Sequence, residues 1–190
     1  MVAILTTAPQ AEPVTREEAK AHARIDGSSE DQHIDALIVA ARTEVENRTS
    51  RALMTQNWRI VRDGVPRGGV VRIAPAPLIS VDQVTVYDAD GAPETVPQDD
   101  YQVDLISSPG RLKLRAGRCW SSRAMNGLEI DFTCGYGARE AVPAPIKHSI
   151  LMLIAYWFEQ REAAAAGAVA GPVANGVSAL LAPYRMPRIS

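Results

Sequence analysis

Few residues in this chain have the types and the spacing that chemistry at a site requires. Cys119 and Cys134 are too far apart for a CxxC pair, and the three histidines are scattered, so the spacing of a metal site is absent. Cys134 falls in the apolar phase of a strand pattern, which predicts a small buried hydrophobe. A disulfide between the two cysteines is possible only if their strands meet. We expect neither a metal nor a cofactor.

Catalytic patterns are also missing from the sequence. It contains no G-x-S-x-G, no G-x-x-x-x-G-K-[ST], no H-E-x-x-H and no G-x-G-x-x-G after a strand. Gly135–Gly137 reads GYG and lacks the following Lys or Ser of a phosphate loop, so it predicts a turn. His148 on a helix flank is expected to be solvated, and the pair Asp99 and Asp100 to lie on the surface rather than bind a cation. We predict no catalytic residue; a small soluble enzyme or ligand-binding protein is the alternative.

The residues that point to a function lie near the end of the chain. The stretch PVANGVSALLAPYRMPRIS follows an alanine and glycine run that is typical of a linker, and no acidic residue occurs after Glu162. A segment that cannot bury its own apolar side chains orders on a partner, and its arginines can pair with carboxylates there. The alternative is that this segment folds back on its own domain.

Composition narrows the class of protein. Of 190 residues, 46% are hydrophobic and 22% charged, which is typical of a globular protein. The formal net charge of −2 leaves no excess of Lys and Arg to neutralise many phosphates. The start MVAILTTAPQAEP lacks the basic region of a signal peptide, and the most apolar helical stretch is too short to span a bilayer. We expect a soluble, intracellular protein.

Two helices are predicted near the start. Thr15 and Glu18 have the spacing of a capping box, which predicts a helix from about Arg16 to Ile25. Gly27 ends it, Ser28 and Ser29 are expected to cap a second helix, and apolar residues at helical spacing carry that helix to Thr49. A helix-turn-helix that reads DNA is the alternative, but acidic side chains on the second helix would repel phosphates: Glu30, Asp31, Asp35, Glu44 and Glu46.

From Gln56 the apolar residues alternate, which indicates strands. Two alternating runs, 101–105 and 112–114, flank a turn and predict a hairpin, and residues 128–134 predict a further strand. Ile79 and Val81 are in one phase whereas Val84 and Val86 are in the other, which predicts a bulge near Asp82 or Gln83 that keeps both pairs inward.

The last periodic stretch predicts a long helix that starts at Pro143 and Pro145. We predict an α+β fold in which this helix packs on the two N-terminal helices, with an antiparallel β sheet or small barrel inserted between them and an extended C-terminal tail. Residues 1–166 form a single domain, with helices at about 15–50 and 143–165 and the β insertion at about 55–136. Residues 167–190 form the flexible tail.

In order and spacing these features resemble the head-tail connector (adaptor, head-completion) proteins of long-tailed bacteriophages and gene transfer agents. The resemblance rests on the early pair of helices, the β insertion, the stretch from CGYG to VPAPIKHSILMLIAYWFEQRE, and the ending GVSALLAPYR. The long alanine run before the ending departs from the family.

The resemblance implies a structural protein that forms a ring, typically of twelve copies, under the portal in the neck of a virion or phage-like particle assembled in the bacterial cytoplasm. Its partners would be the portal protein, a stopper or tail-completion protein, other copies of itself and duplex DNA that passes through the lumen without sequence-specific binding, but no membrane. A net charge near zero suits a channel wall that releases DNA.

The resemblance also assigns roles to residues. It gives a structural role to Tyr136, Pro143, Ile146 and Arg161, which match the family's strand-to-helix region. The expected portal contact consists of the residues of the ending, Gly176, Val177, Leu180, Leu181, Tyr184, Arg185, Met186 and Arg188. Whether the particle is a phage or a gene transfer agent, and which surface faces the stopper, stays open at this point.

Overall fold

The computed structural model describes residues 1–66, 68–115, 122–160 and 171–186. The chain divides into two compact units. A β unit contains Met1–Gln10 and Thr55–Gly135, and a helical unit contains Ala11–Met54 and the described part of Tyr136–Pro187. Helices and antiparallel sheets are both present, so the predicted α+β class is confirmed.

The helical unit contains four helices among the residues described. They are α1 (Arg16–Ala23), α2 (Asp31–Thr49), α3 (Ala144–Glu159) and α4 (Gly171–Leu181). A short 3-10 helix, Ala182–Tyr184, follows α4.

Local sequence signals set the ends of α1 and α2. The predicted capping box is confirmed: the Glu18 backbone N–H donates to Thr15 Oγ1 at 3.0 Å, and the Thr15 N–H donates to Glu18 Oε2 at 2.7 Å. Arg24 takes a left-handed conformation with φ of 54°, so α1 ends before the predicted Ile25. α2 ends at Thr49 as predicted, but Glu30 rather than a serine precedes it.

α3 forms the centre of the helical unit. It packs on α1 and α2, as predicted, and also on α4. The buried core that results is contributed by all four helices and the segments beside them: Val14, Ala19, Ile34, Leu37, Ile38, Ala41, Val45, Leu53, Met54, Val142, Ile146, Ile150, Leu153, Ile154, Trp157, Val177 and Leu181.

α4 corrects the expectation of an extended tail. Residues 171–184 are helical, and Val177 and Leu181, one helical turn apart, are fully buried in the core. Pro172 lies in the first turn, where its missing N–H costs nothing, and Pro183 lies two residues after Leu181, beyond the end of α4. The helix therefore forms between these two prolines, and the segment folds back on its own unit.

The described residues of the β unit form eight strands. They are β1 (Val2–Thr7), β2 (Gln56–Arg62), β3 (Val70–Ile73), β4 (Leu78–Tyr87), β5 (Pro93–Thr95), β6 (Tyr101–Asp104), β7 (Gly110–Leu114) and β8 (Leu128–Cys134). All pairings are antiparallel. They form a five-stranded sheet in the order β1-β2-β8-β4-β5 and a three-stranded sheet in the order β3-β7-β6.

The strand predictions are confirmed with one exception. The hairpin of β6 and β7, the strand β8 and a register shift between Val81 and Gln83 are all present. A second shift, between Leu78 and Ser80, was not foreseen. This shift exchanges the inward and outward positions at the start of β4. Leu78 is therefore buried, whereas Ile79, which was expected to point inward, is exposed.

Leu78 of β4 lies against Gly110 of β7, where the two sheets of the β unit meet. A Cβ added at Gly110 would lie 2.6 Å from Leu78 Cδ2 and 2.7 Å from its Cβ, closer than real atoms approach. Only glycine fits this position without movement of the neighbouring strand.

Replacement of Gly110 with alanine is expected to destabilise the β unit by about 1–3 kcal/mol, because the new methyl group overpacks the contact with Leu78. Urea unfolding of the single variants Gly110→Ala and Leu78→Gly and of the double variant measures the coupling, because Leu78→Gly removes both atoms that the new methyl group would meet. The double variant should lose less stability than the sum of the single changes. Additive effects would contradict the proposed contact.

Leu181→Ala is expected to reduce the free energy of unfolding by about 2–5 kcal/mol, because the side chain is fully buried against α3. The matched control is Leu180→Ala, next in the chain and half-buried, which should cost clearly less. Urea unfolding of both variants is the measurement. Equal, small losses would show that α4 is not held on the helical core.

Candidate functional site

The candidate site is the C-terminal segment, defined here as residues 171–186. It contains seven of the eight expected portal contacts; Arg188 lies outside the residues described, as does Arg161. The structure separates these seven into residues that hold the segment on the helical unit and residues that stay accessible.

Val177, Leu181 and Met186 hold the segment. The first two are fully buried and Met186 is 8% exposed. The backbone N–H of Met186 donates to the carbonyl of Thr49, at the end of α2, at 3.1 Å. These three side chains therefore pack within the helical unit, and their expected contact with a portal stays a prediction.

Leu180, Tyr184 and Arg185 form the accessible part. Arg185 is exposed, and its Nη2 lies 3.4 Å from Ser178 Oγ, while Leu180 and Tyr184 are half-buried. Gly176 is also half-buried, and a Cβ there would lie 2.9 Å from Met152 Cε of α3. Gly176 therefore serves the close approach of α4 to α3, and a partner can reach the other three residues.

Arg51 was missed by the sequence reasoning. Its Nε donates to the carbonyl of Tyr184 at 2.7 Å, and its guanidinium also hydrogen-bonds the Tyr136 side chain. Burial raises the pKa of the Tyr136 hydroxyl although Arg51 acts to lower it, so the hydroxyl stays protonated at neutral pH. Arg51 thus joins the segment to the strand-to-helix region, whose expected structural role agrees with this contact. Because Arg51 and Tyr184 lie 133 residues apart in the chain, the sequence contains no local signal of this contact.

The positively charged side chains of α1 and α2 form ion pairs with carboxylates, which does not favour the DNA-binding alternative. Arg16 pairs with Asp31 and Asp35, and Lys20 with Asp31 at 2.7 Å. On α2, Arg42 pairs with Glu12 at 2.8 Å and with Glu46 at 2.7 Å, and Arg48 pairs with Glu44 at 2.6 Å. Carboxylates beside these cations offset the positive charge that phosphates would require.

A cavity of about 620 Å³ lies on the three-stranded sheet. Its lining consists of Val70, Gln102, Val103, Asp104, Arg111 and Lys113. Hydrogen bonds from Ser107 and Arg111 hold the pKa of Asp104 well below its usual range, so this carboxylate has no proton to donate near neutral pH. The lining contains no serine, cysteine or histidine, and the enzyme alternative gains no support from it.

The other residues considered for chemistry behave as structural or surface residues. Cys134 is buried, as predicted, with Sγ 3.8 Å from the Gln56 carbonyl oxygen; Cys119 lies outside the described residues. His148 is exposed, as predicted, and its ring packs edge-on against His22 at 5.5 Å. Asp99 is an exposed residue of a short 3-10 helix, Gln98–Asp100.

Two further features are absent from the described part of the chain. It contains no group of three or more His, Cys, Asp or Glu residues placed to hold a metal ion. None of its helices combines the length and the apolar character needed to span a membrane.

Solved structures resemble this chain along its whole length. A chain from the neck of an empty gene transfer agent particle, computed with C6 symmetry, matches with a TM-score of 0.82 and 24% identity. A chain from the virion of a native gene transfer agent particle matches with a TM-score of 0.81 and 25% identity, and one from the neck of a native particle, computed with C12 symmetry, with 0.76 and 25%. Each match covers 100% of this chain and 98% of the other.

Sequence comparison adds a family. No curated protein matches the chain. The sequence profile of the phage gp6-like head-tail connector proteins matches residues 14–106, which span α1, α2 and the strands β2 to β6. With the likeness in structure over the whole chain, this match confirms the predicted resemblance to the phage-type head-tail connector proteins.

Proposed function

We propose that this protein is a ring-forming connector in the neck of a phage-like particle, where it binds the portal through the C-terminal segment and extends the DNA channel toward the tail. The observation that carries the proposal is the match along the whole chain to chains of gene transfer agent necks and virions. The matches cover this chain from end to end, so the proposal rests on the whole fold rather than on one motif.

The proposed ring contains twelve copies, which fits both matched necks, since one was computed with C12 symmetry and the other with C6, whose order divides twelve. A cyclic ring repeats one contact between neighbouring copies and leaves a central channel. The net charge of −2 suits a channel wall past which duplex DNA moves without being held. A stopper or tail-completion protein binds the face opposite the portal, and the particle assembles in the bacterial cytoplasm.

The portal contact is assigned to the accessible residues of the C-terminal segment. Val177, Leu181 and Met186 hold the segment on the helical unit, so Leu180 and Arg185 are presented on a preformed support. An apolar side chain beside an arginine suits a groove that ends at a carboxylate. The preformed support lowers the entropic cost of binding compared with a free tail.

Arg188 belongs to the same proposed contact, since it continues the chain two residues after Met186 and adds a second positive charge. No acidic residue follows Glu162, so the proposed portal surface is acidic.

The double variant Leu180→Asp with Arg185→Glu is expected to bind the cognate portal ring at least about tenfold more weakly, because it replaces an apolar contact and reverses a charge. Its melting temperature should stay close to that of the unchanged protein, since neither residue is fully buried. Surface-immobilised portal rings and the full-length chain give the affinity, and a thermal melt gives the folding control.

The matched control is Val39→Asp with Arg72→Glu, which makes the same kinds of change at exposed positions on α2 and β3. It should bind the portal normally. Normal binding by the segment variant would remove the portal contact from this segment, and no binding by the unchanged protein would reject the connector proposal. Deletion of residues 171–190 is a poorer test because it also removes Val177 and Leu181 from the core.

A further inference from the structure

β1 is apolar and exposed along its whole length. All six of its residues are exposed, with Val2 at 60%, Ile4 at 48% and Leu5 at 43%. The stretch from Val2 to Thr7 contains no charged residue and no proline. Single exposed apolar residues are ordinary on a protein surface, but a continuous strand of them marks an interaction surface.

Among the described residues of the β unit, none covers either face of β1. On one face Ala3 lies opposite Ile60 of β2, and Ile60 is fully buried whereas Ala3 is exposed. The core of the β unit therefore ends at β2. On the other face Ile4 lies opposite the half-buried Arg59 and is itself exposed. Side chains on both faces of β1 are open to a partner.

The backbone of β1 is also available along one side. β1 is the first strand of the five-stranded sheet, and among the described residues it pairs only with β2. The opposite edge, β5, has three residues and begins with a proline, features that protect an edge from further pairing. β1 has no such protection, so its open edge can accept another strand.

We propose that β1 is the surface on which the neighbouring copy of this chain docks in the ring. This inference rests on the proposed function, which makes copies of the chain adjacent to one another. An uncharged strip does not attract DNA phosphates or a partner selected by charge. Apolar surface that is buried for the life of an assembly is typical of contacts between identical subunits.

A cyclic ring requires two different surfaces on one chain, one that docks and one that receives. The chain offers receiving edges in its three-stranded sheet, where β3 and β6 are the outer strands among the residues described. Val70 at the start of β3 is exposed and apolar, as a residue that contacts β1 of a neighbour would be. A second copy therefore supplies a strand edge of the kind that β1 can accept.

Photo-crosslinking in the assembled neck tests the proposal. The photoreactive residue p-benzoylphenylalanine replaces Ile4 in the full-length chain, which is then assembled on the portal and irradiated. The expected product is a covalent dimer of this chain. Val39, similarly exposed at 45% but on α2, carries the same group in the comparison sample and reports the background yield. A product with a different protein, or no dimer above background, would overturn the proposal.

A charge-insertion variant gives a second measurement. Val2→Lys with Ile4→Lys should keep its melting temperature, because both side chains are exposed, and should reduce complete rings on the portal at least about tenfold. Val39→Lys, the matched control, should form rings normally. Native mass spectrometry counts the copies on each portal.

The outcomes separate the two proposals. If the unchanged chain forms rings on the portal and the lysine variant does too, β1 is not the docking surface and the connector function stands. If the unchanged chain does not bind the portal, the proposed function fails. The Ile4 crosslink is then measured on the concentrated isolated chain, where absence of a dimer overturns self-docking as well.

Discussion

Burial of the apolar side of α3 is the constraint on which the helical unit depends. Ile146, Ile150, Leu153, Ile154 and Trp157 cannot stay in water at an acceptable free energy, since each large apolar side chain contributes about 1.5–3 kcal/mol when it is buried. α1 and α2 cover part of this surface, and α4 covers another part. Segments that lie more than a hundred residues apart in the chain are thereby joined in one core.

The same constraint determines what the C-terminal segment can present. Two of its apolar residues, Val177 and Leu181, complete the core, and hydrogen bonds from Arg51 to the Tyr184 carbonyl and from the Met186 N–H to Thr49 fix the chain beyond α4. Leu180 and Arg185 then lie on a support whose position is set before any partner arrives. The β unit differs in this respect, because its edge strand β1 lies outside the buried core of the unit and all of its residues are exposed.

Local signals predicted local structure well. The capping box at Thr15, the hairpin of β6 and β7 and the strand β8 each depend on residues close together in sequence, and all three are present. The inward direction of Ile79 was predicted wrongly, because a second register shift near Ser80 changed the phase of β4. β1 was not predicted, since a short apolar stretch does not reveal which strand it will pair with.

By itself the sequence determined the α+β class, the order of α1, α2 and α3 around the β strands, and the resemblance to the connector family that this order suggested. These properties follow from periodicity, caps and turns, which act over a few residues. Only the tertiary structure decided that α4 folds back onto α3, that Arg51 holds Tyr184, and that β1 is left uncovered. The physical reason is that burial and pairing depend on which distant surfaces meet, and spacing along the chain does not record this.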